Sequence, residues 1–341
     1  MTGEFDLHRA KIFILACMVF PVPLLAHAQE RAVSPLVSGS ETPQSEQTRP
    51  APADKITSDQ HTAGSETLPE VPAMPDYPTL AVEDVPAEVH RLTLAFNKEV
   101  GGEKNISAEK KALWISLAQK ELAEHSADHP LTRPQVLVVV DRNPGVQRLA
   151  LIAALPGDAE DWQVIGVTKI SSGTTGRKYY YITPTGVFAN TSDILGYRAL
   201  GTKNEHGIKG NGVKDMRVWD FGWQWAEKGW LPSREKGQIR LEMHATDPVY
   251  LEPRLGHTAS EGCVRIPAAL NIFIDKHGLI DAEYERAAAI DRRFSALLRK
   301  DRNQSPLAGS LLVVVDSTDA LKAAHPSKVA QSVQKQHNMI R

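Results

Sequence analysis

Between Gln135 and Asp316 the chain runs in short apolar stretches, each closed by a turn signal, and few folds accept that texture. Val136 to Val140 is a continuous apolar run ended by Asp141-Arg142-Asn143-Pro144-Gly145, which reads as a strand followed by a turn. Leu149 to Leu155 and Val164 to Ile170 repeat the pattern, and Leu311 to Val315 reads as a last buried strand. Gln238 to His244 alternates, with Ile239, Leu241 and Met243 set against Arg240, Glu242 and His244. Successive strand side chains point to opposite faces, so Met243 is expected towards a core and His244 towards a cleft. The expected fold is mainly β, with helices at its margins.

Helical signals flank this region. Val89, Leu92, Leu94, Phe96 and Val100 suggest an amphipathic helix stopped by Gly101-Gly102. Ser107 is placed to cap a second helix, Ala108 to His125, with Leu113, Trp114, Leu117 and Leu122 as its apolar stripe. This pair, within 83–130, is expected to be structural and to pack on the strand-rich region. Pro267 is expected as the first residue of a helix through His277 that Gly278 closes.

The N-terminus reads as an export signal over residues 1–28. Arg9 and Lys11 precede an apolar run from Ile12 to Ala26, and Ala26-His27-Ala28 offers a small-x-small cleavage pattern. The run carries Pro21 and Pro23 and is short for a membrane span, so no stable membrane insertion is expected after cleavage. A competing reading lipidates Cys17, but too few apolar residues then precede the cleavage point. Residues 29–82 are rich in Pro, Ser, Thr and Glu and are expected to form a disordered linker. The catalytic domain is expected over 131–318, and 319–341 form a tail. A net charge of −2 gives no general attraction to nucleic acid.

The chemistry concentrates in His244-Ala245-Thr246 and Ser260-Glu261-Gly262-Cys263-Val264-Arg265. If the leader is removed, Cys263 is the only thiol of an exported chain, which favours a thiol kept for use. A free thiol, with a pKa of about 8.5, is mostly protonated at neutral pH and needs a base within reach. His244 lies nineteen positions before Cys263, a span that a loop folds back. Gly262 permits a sharp turn in which the N–H groups of Gly262 and Cys263 converge on one oxygen, an oxyanion hole. Ser260 is expected to fix that turn through its hydroxyl. Arg265 suits either a substrate carboxylate or a surface ion pair. Neither metal-ligand spacing nor a phosphate-binding glycine loop is present in the sequence, so no cofactor and no metal are expected.

This stretch resembles the signature of the YkuD-type L,D-transpeptidases: a histidine, then at similar distance Ser/Thr-His-Gly-Cys followed by Arg or Asn. Ser171-Ser172-Gly173 and Thr183-Pro184-Thr185-Gly186-Val187-Phe188 are similar to further landmarks of that domain. The resemblance covers roughly Gln135 to Asp316 and implies a β-sandwich of mixed sheets. It implies Cys263 as nucleophile and His244 as base, with the Ala245 carbonyl orienting the ring. It further implies peptidoglycan stem peptides as substrate in the periplasm or cell wall, and acylation by carbapenems. Glu261 departs from the pattern by replacing the usual histidine. A carboxylate beside a thiol disfavours thiolate, so Glu261 is expected to point away from the sulfur. His257 either restores an imidazole near the cleft or is a loop histidine without a role.

Two readings compete with transpeptidation: a carboxypeptidase or amidase in which water takes the acyl group, and a silent wall-binding protein. The segment Val218-Trp219-Asp220-Phe221-Gly222-Trp223-Gln224-Trp225, with Trp230 beyond it, reads equally as core packing or as a lid over the site.

Overall fold

The computed structural model describes residues 72–157 and 161–324. The expected signal peptide, most of the linker and the end of the tail lie outside the described residues. Helices α1 (Val85–Glu99) and α2 (Ala108–Glu124) come first, followed by β1 (Gln135–Asp141), β2 (Arg148–Ala154) and β3 (Gln163–Lys169). Then come β4 (Gly186–Ala189), β5 (Tyr197–Arg198), β6 (Arg217–Glu227), β7 (Lys236–Ala245) and β8 (Val264–Ile266). Helices α3 (Ala268–His277), α4 (Ala282–Ala287) and α5 (Arg292–Leu297) precede β9 (Leu311–Val315), and α6 (Thr318–Ala324) ends the described chain.

The strands form two mixed sheets. One has the order β3-β2-β1-β9-β4, in which only the β1–β9 pair is parallel. The other has the order β5-β6-β7-β8, in which only β7–β8 is parallel. Among the described residues 27% are helical and 24% strand, so the fold mixes both classes of element rather than being mainly β. Helices expected only at the margins account for this difference. One apolar cluster draws Val85, Leu92 and Phe96 of α1, Trp114 of α2 and Phe273 of α3 together with residues of both sheets. The helical segment before residue 130 therefore shares the core of the sheets.

Packing decides the details within these elements. Residues Val85, Val89, Leu92 and Phe96, three or four apart, form the buried stripe of α1, whereas Leu94 falls off that stripe and is exposed. The Ser107 hydroxyl accepts the Lys110 N–H and caps α2, whose Trp114 Nε1–H donates to Asp141 at 3.0 Å. In α3 Pro267 is the N-cap rather than the first helical residue, and Gly278 ends the helix in the left-handed conformation.

A bulge in β6 matters most for the site. Asp220 pairs with Glu242 and Trp223 with Arg240, so Phe221 and Gly222 together oppose Leu241. Gly222 supplies the positive φ of +76° that this step requires. One extra residue reverses the alternation. Trp219 and Phe221 are buried in the core, while Trp223 and Trp225 emerge on the open face. The tryptophan segment is thus neither all core nor a lid: it is one long strand with a different face buried on each side of the bulge.

Candidate active site

The alternation of β7 gives the site its floor. Ile239, Leu241 and Met243 are buried, while Arg240, Glu242 and His244 occupy the opposite face. The turn 260–263 then delivers Cys263 to this face just before β8 runs parallel to β7. The Cys263 Sγ lies 3.7 Å from the Arg240 carbonyl oxygen. Ligand-capable atoms of Glu242, His244 and Cys263 all lie within 4.8 Å of one another.

The turn is held from several sides. The Ser260 hydroxyl donates to the Cys263 carbonyl at 2.5 Å and accepts the Gly262 N–H at 3.2 Å. Thr183, fully buried, donates to the Gly262 carbonyl at 2.7 Å and accepts the Gly173 N–H at 2.8 Å. The Ser172 carbonyl accepts the N–H groups of Ala259 and Ser260, and the Ser171 and Arg265 backbones exchange bonds in both directions. Residues 171–173 and Thr183, visible in the sequence only as landmarks, are therefore the clamp that fixes the cysteine turn. Gly262 has φ +136°, and a Cβ there would meet Ile239 Cδ1 at 2.7 Å. Only glycine fits that position.

One expectation about the turn is corrected. The Gly262 N–H bonds to the Ser260 hydroxyl and so serves the turn rather than an oxyanion hole. The physical reason is the hydroxyl at position 260, whose oxygen lies in reach of that amide. The backbone donor directed at the sulfur is that of Glu242, and it favours the sulfur's anion.

His244 is buried, and its Nδ1 lies 2.6 Å from the Ala245 carbonyl oxygen. A carbonyl accepts only, so Nδ1 carries the proton and Nε2 keeps its lone pair. Burial pushes the imidazole down to about 4; the Ala245 carbonyl pulls it up, and the Arg265 guanidinium pushes it further down. Burial pushes the Cys263 thiol up to about 11, and the Glu242 carboxylate adds to this. The Glu242 N–H and Arg265 act in the opposite direction, and Glu261 raises it with a smaller effect. At neutral pH the pair therefore rests as thiol and neutral imidazole rather than as a preformed ion pair.

Glu261 is exposed, and its backbone carbonyl accepts the Tyr181 N–H. The carboxylate that matters to the thiol is Glu242, which sequence reasoning did not single out. Burial raises the pKa of Glu242; the Tyr197 hydroxyl, donating at 3.1 Å, opposes that rise. Asn211 in turn donates to the Tyr197 oxygen at 3.1 Å. Arg240, the next residue along the face, pairs with the buried Asp220 at 2.7 Å. In the sequence Glu242 looked like one more polar residue on a solvated strand face; its position two residues before His244 was the available signal. Glu242, His244 and Cys263 also offer one oxygen, one nitrogen and one sulfur donor, a set that a divalent transition metal accepts.

Arg265 sits beside His244 in the β7–β8 register. It donates to the Ala259 carbonyl at 3.3 Å, forms no ion pair among the described residues, and has a buried Nε without a hydrogen-bond partner among them. His257 is exposed and makes no hydrogen bond or ion pair among the described residues, so nothing links it to the sulfur. No protein-family model matches the chain, and no curated protein matches it.

Proposed function

We propose that the chain is a peptidoglycan L,D-transpeptidase of the YkuD type, exported to the periplasm or cell wall, with the two sheets arranged as that family's sandwich. The observation that carries this reading is the rigidly held Cys263 turn beside a buried His244 whose free Nε2 is fixed by the Ala245 carbonyl. The Cys263 sulfur attacks the carbonyl after the L-centre of diaminopimelate in a tetrapeptide stem, and its proton passes to His244 Nε2. Collapse of the tetrahedral intermediate breaks the bond to the terminal D-alanine, whose amine takes the proton from the imidazolium. The N–H groups of Cys263 and Glu242 stabilise the developing charge. The amine of a second stem then attacks the thioester, gives its proton to His244 and releases the thiol. Arg265 attracts the free carboxylates of the stem.

Glu242 favours a second reading of the same acyl-enzyme. A carboxylate within 4.8 Å of the sulfur is placed to hold an attacking water, which would make the enzyme a carboxypeptidase or amidase. Both readings require the thiol to be acylated. Intact-mass analysis after exposure to a carbapenem is expected to show one adduct on the wild-type protein and none on Cys263→Ala. A folded wild-type protein that acquires no adduct and releases no D-alanine from a tetrapeptide would reject both.

A further inference from the structure

We infer that Trp223 and Trp225 form a stacking platform for the sugar rings of a glycan strand, beside the thiol site and on the same face of the sheet. Both side chains are 62% exposed, in a chain whose other described tryptophans in the region are buried or packed on tyrosines. Trp223 lies opposite Arg240 and Trp225 opposite Gln238, so both share the face that carries Glu242 and His244. As alternate residues of one strand they stand about 7 Å apart, which lets neighbouring rings of one oligosaccharide each meet an indole. Cys263 approaches β7 at Arg240 from the β8 side, and β6 lies on the other side. The platform is therefore displaced from the sulfur by about two strand spacings, roughly 10 Å.

The occupant is identified by the setting of the pair. The aliphatic face of a pyranose stacks on an indole, and its hydroxyl groups then require polar neighbours around the ring. Gln238, Lys236 and Arg240 provide them on the adjacent strand. Lys236 and its cross-strand neighbour Glu227 line a small pocket with Trp225, Arg142 and Pro184. Donors and acceptors of both charges therefore rim the indoles, which suits the neutral hydroxyl and amide groups of an amino-sugar strand. A second copy of the chain fits less well. Two indoles at this exposure offer about 300 Å² together, against about 800 Å² per partner in a stable dimer. The face also mixes Asp220 and Glu227 with its cations, which does not suit an anionic lipid surface.

The inference deepens the proposed function, since it assigns the sugar portion of the same substrate, and its test is independent of the thiol. Calorimetric titration would use tetra-N-acetylglucosamine and, separately, peptide-free glycan strands. The wild-type protein is expected to bind both. The double variant Trp223→Ala/Trp225→Ala is expected to bind at least tenfold more weakly, and Trp223→Tyr/Trp225→Tyr to retain most of the affinity. Both variants should keep the wild-type unfolding midpoint. Undiminished binding by the Ala variant, or no binding by the wild-type protein, would overturn the inference. A wild-type dimer that the Ala variant loses would give the face to a second copy and overturn it too. Acylation of Cys263 without sugar binding rejects the platform alone, whereas sugar binding without acylation rejects the enzymatic reading alone.

Discussion

Replacing Glu242 by Gln is the sharpest perturbation of this site. The substitution keeps shape and leaves an oxygen for the Tyr197 hydroxyl, but removes a negative charge within 4.8 Å of the sulfur. At that separation two unit charges interact by about 1 kcal/mol in water and about 3.5 kcal/mol at an effective dielectric constant of 20. Glu242 is partly exposed, so the value lies towards the lower end. One pKa unit corresponds to about 1.4 kcal/mol, and removing a neighbouring anion favours thiolate. The Cys263 titration is therefore expected to fall from about 11 by roughly one unit. The rate of iodoacetamide alkylation, followed against pH on the peptide containing Cys263, measures this directly. An inflection that stays in place, or moves upward, would refute the assignment of Glu242 as the anion that holds the thiol protonated.

Other consequences are equally specific. His244 titrates near 4 when folded against about 6.5 when unfolded, so the unfolded chain binds more protons between those values. Stability should thus decline as pH falls from about 6.5 to 4, by up to roughly 3 kcal/mol, and His244→Gln should flatten that part of a denaturant-unfolding profile. Gly262→Ala must place a Cβ against Ile239 at a φ that alanine rarely adopts; a loss of about 1–3 kcal/mol with collapse of acylation is expected in urea unfolding and mass analysis. Thr183→Val leaves the Gly173 N–H and the Gly262 carbonyl without their hydroxyl partner and should cost about 1–3 kcal/mol while slowing acylation of Cys263 by a carbapenem. Asp281 accepts from Arg217 and Trp219 in full burial, so Asp281→Ala strands a buried cation and should cost about 3–5 kcal/mol, read as a lowered unfolding midpoint.

The parts of the site legible in the sequence were those fixed by local chemistry. A positive-φ glycine, a hydroxyl two residues before it and a thiol after it describe one turn, and they occur within four residues. Alternation along β7 likewise puts His244 and Met243 on opposite faces by residue pattern alone. What the sequence hid depends on register. The single extra residue at Phe221-Gly222 inverts the faces of β6, so the tryptophans could not be sorted into core and surface by counting. Glu242 acquires its role only because Cys263, far along the chain, is carried to the neighbouring strand edge. Thr183 reaches Gly262 across 79 positions, a contact that no local pattern encodes. The helical content was underestimated for a similar reason: α4 and α5 are short, and their buried residues Tyr284 and Phe294 serve a small separate cluster.

In the proposed reaction Cys263 carries an acyl group from one stem peptide to another. The direct measurement is digestion of purified muropeptides by the wild-type protein beside Cys263→Ala, read by mass spectrometry. Cross-linked dimers or D-amino-acid exchange products, formed by the wild type and absent from the variant, are the expected result. Shortened monomers alone would transfer the acyl-enzyme to water and make the protein a hydrolase. Unchanged muropeptides from a folded wild-type protein would contradict an enzymatic role for Cys263 altogether.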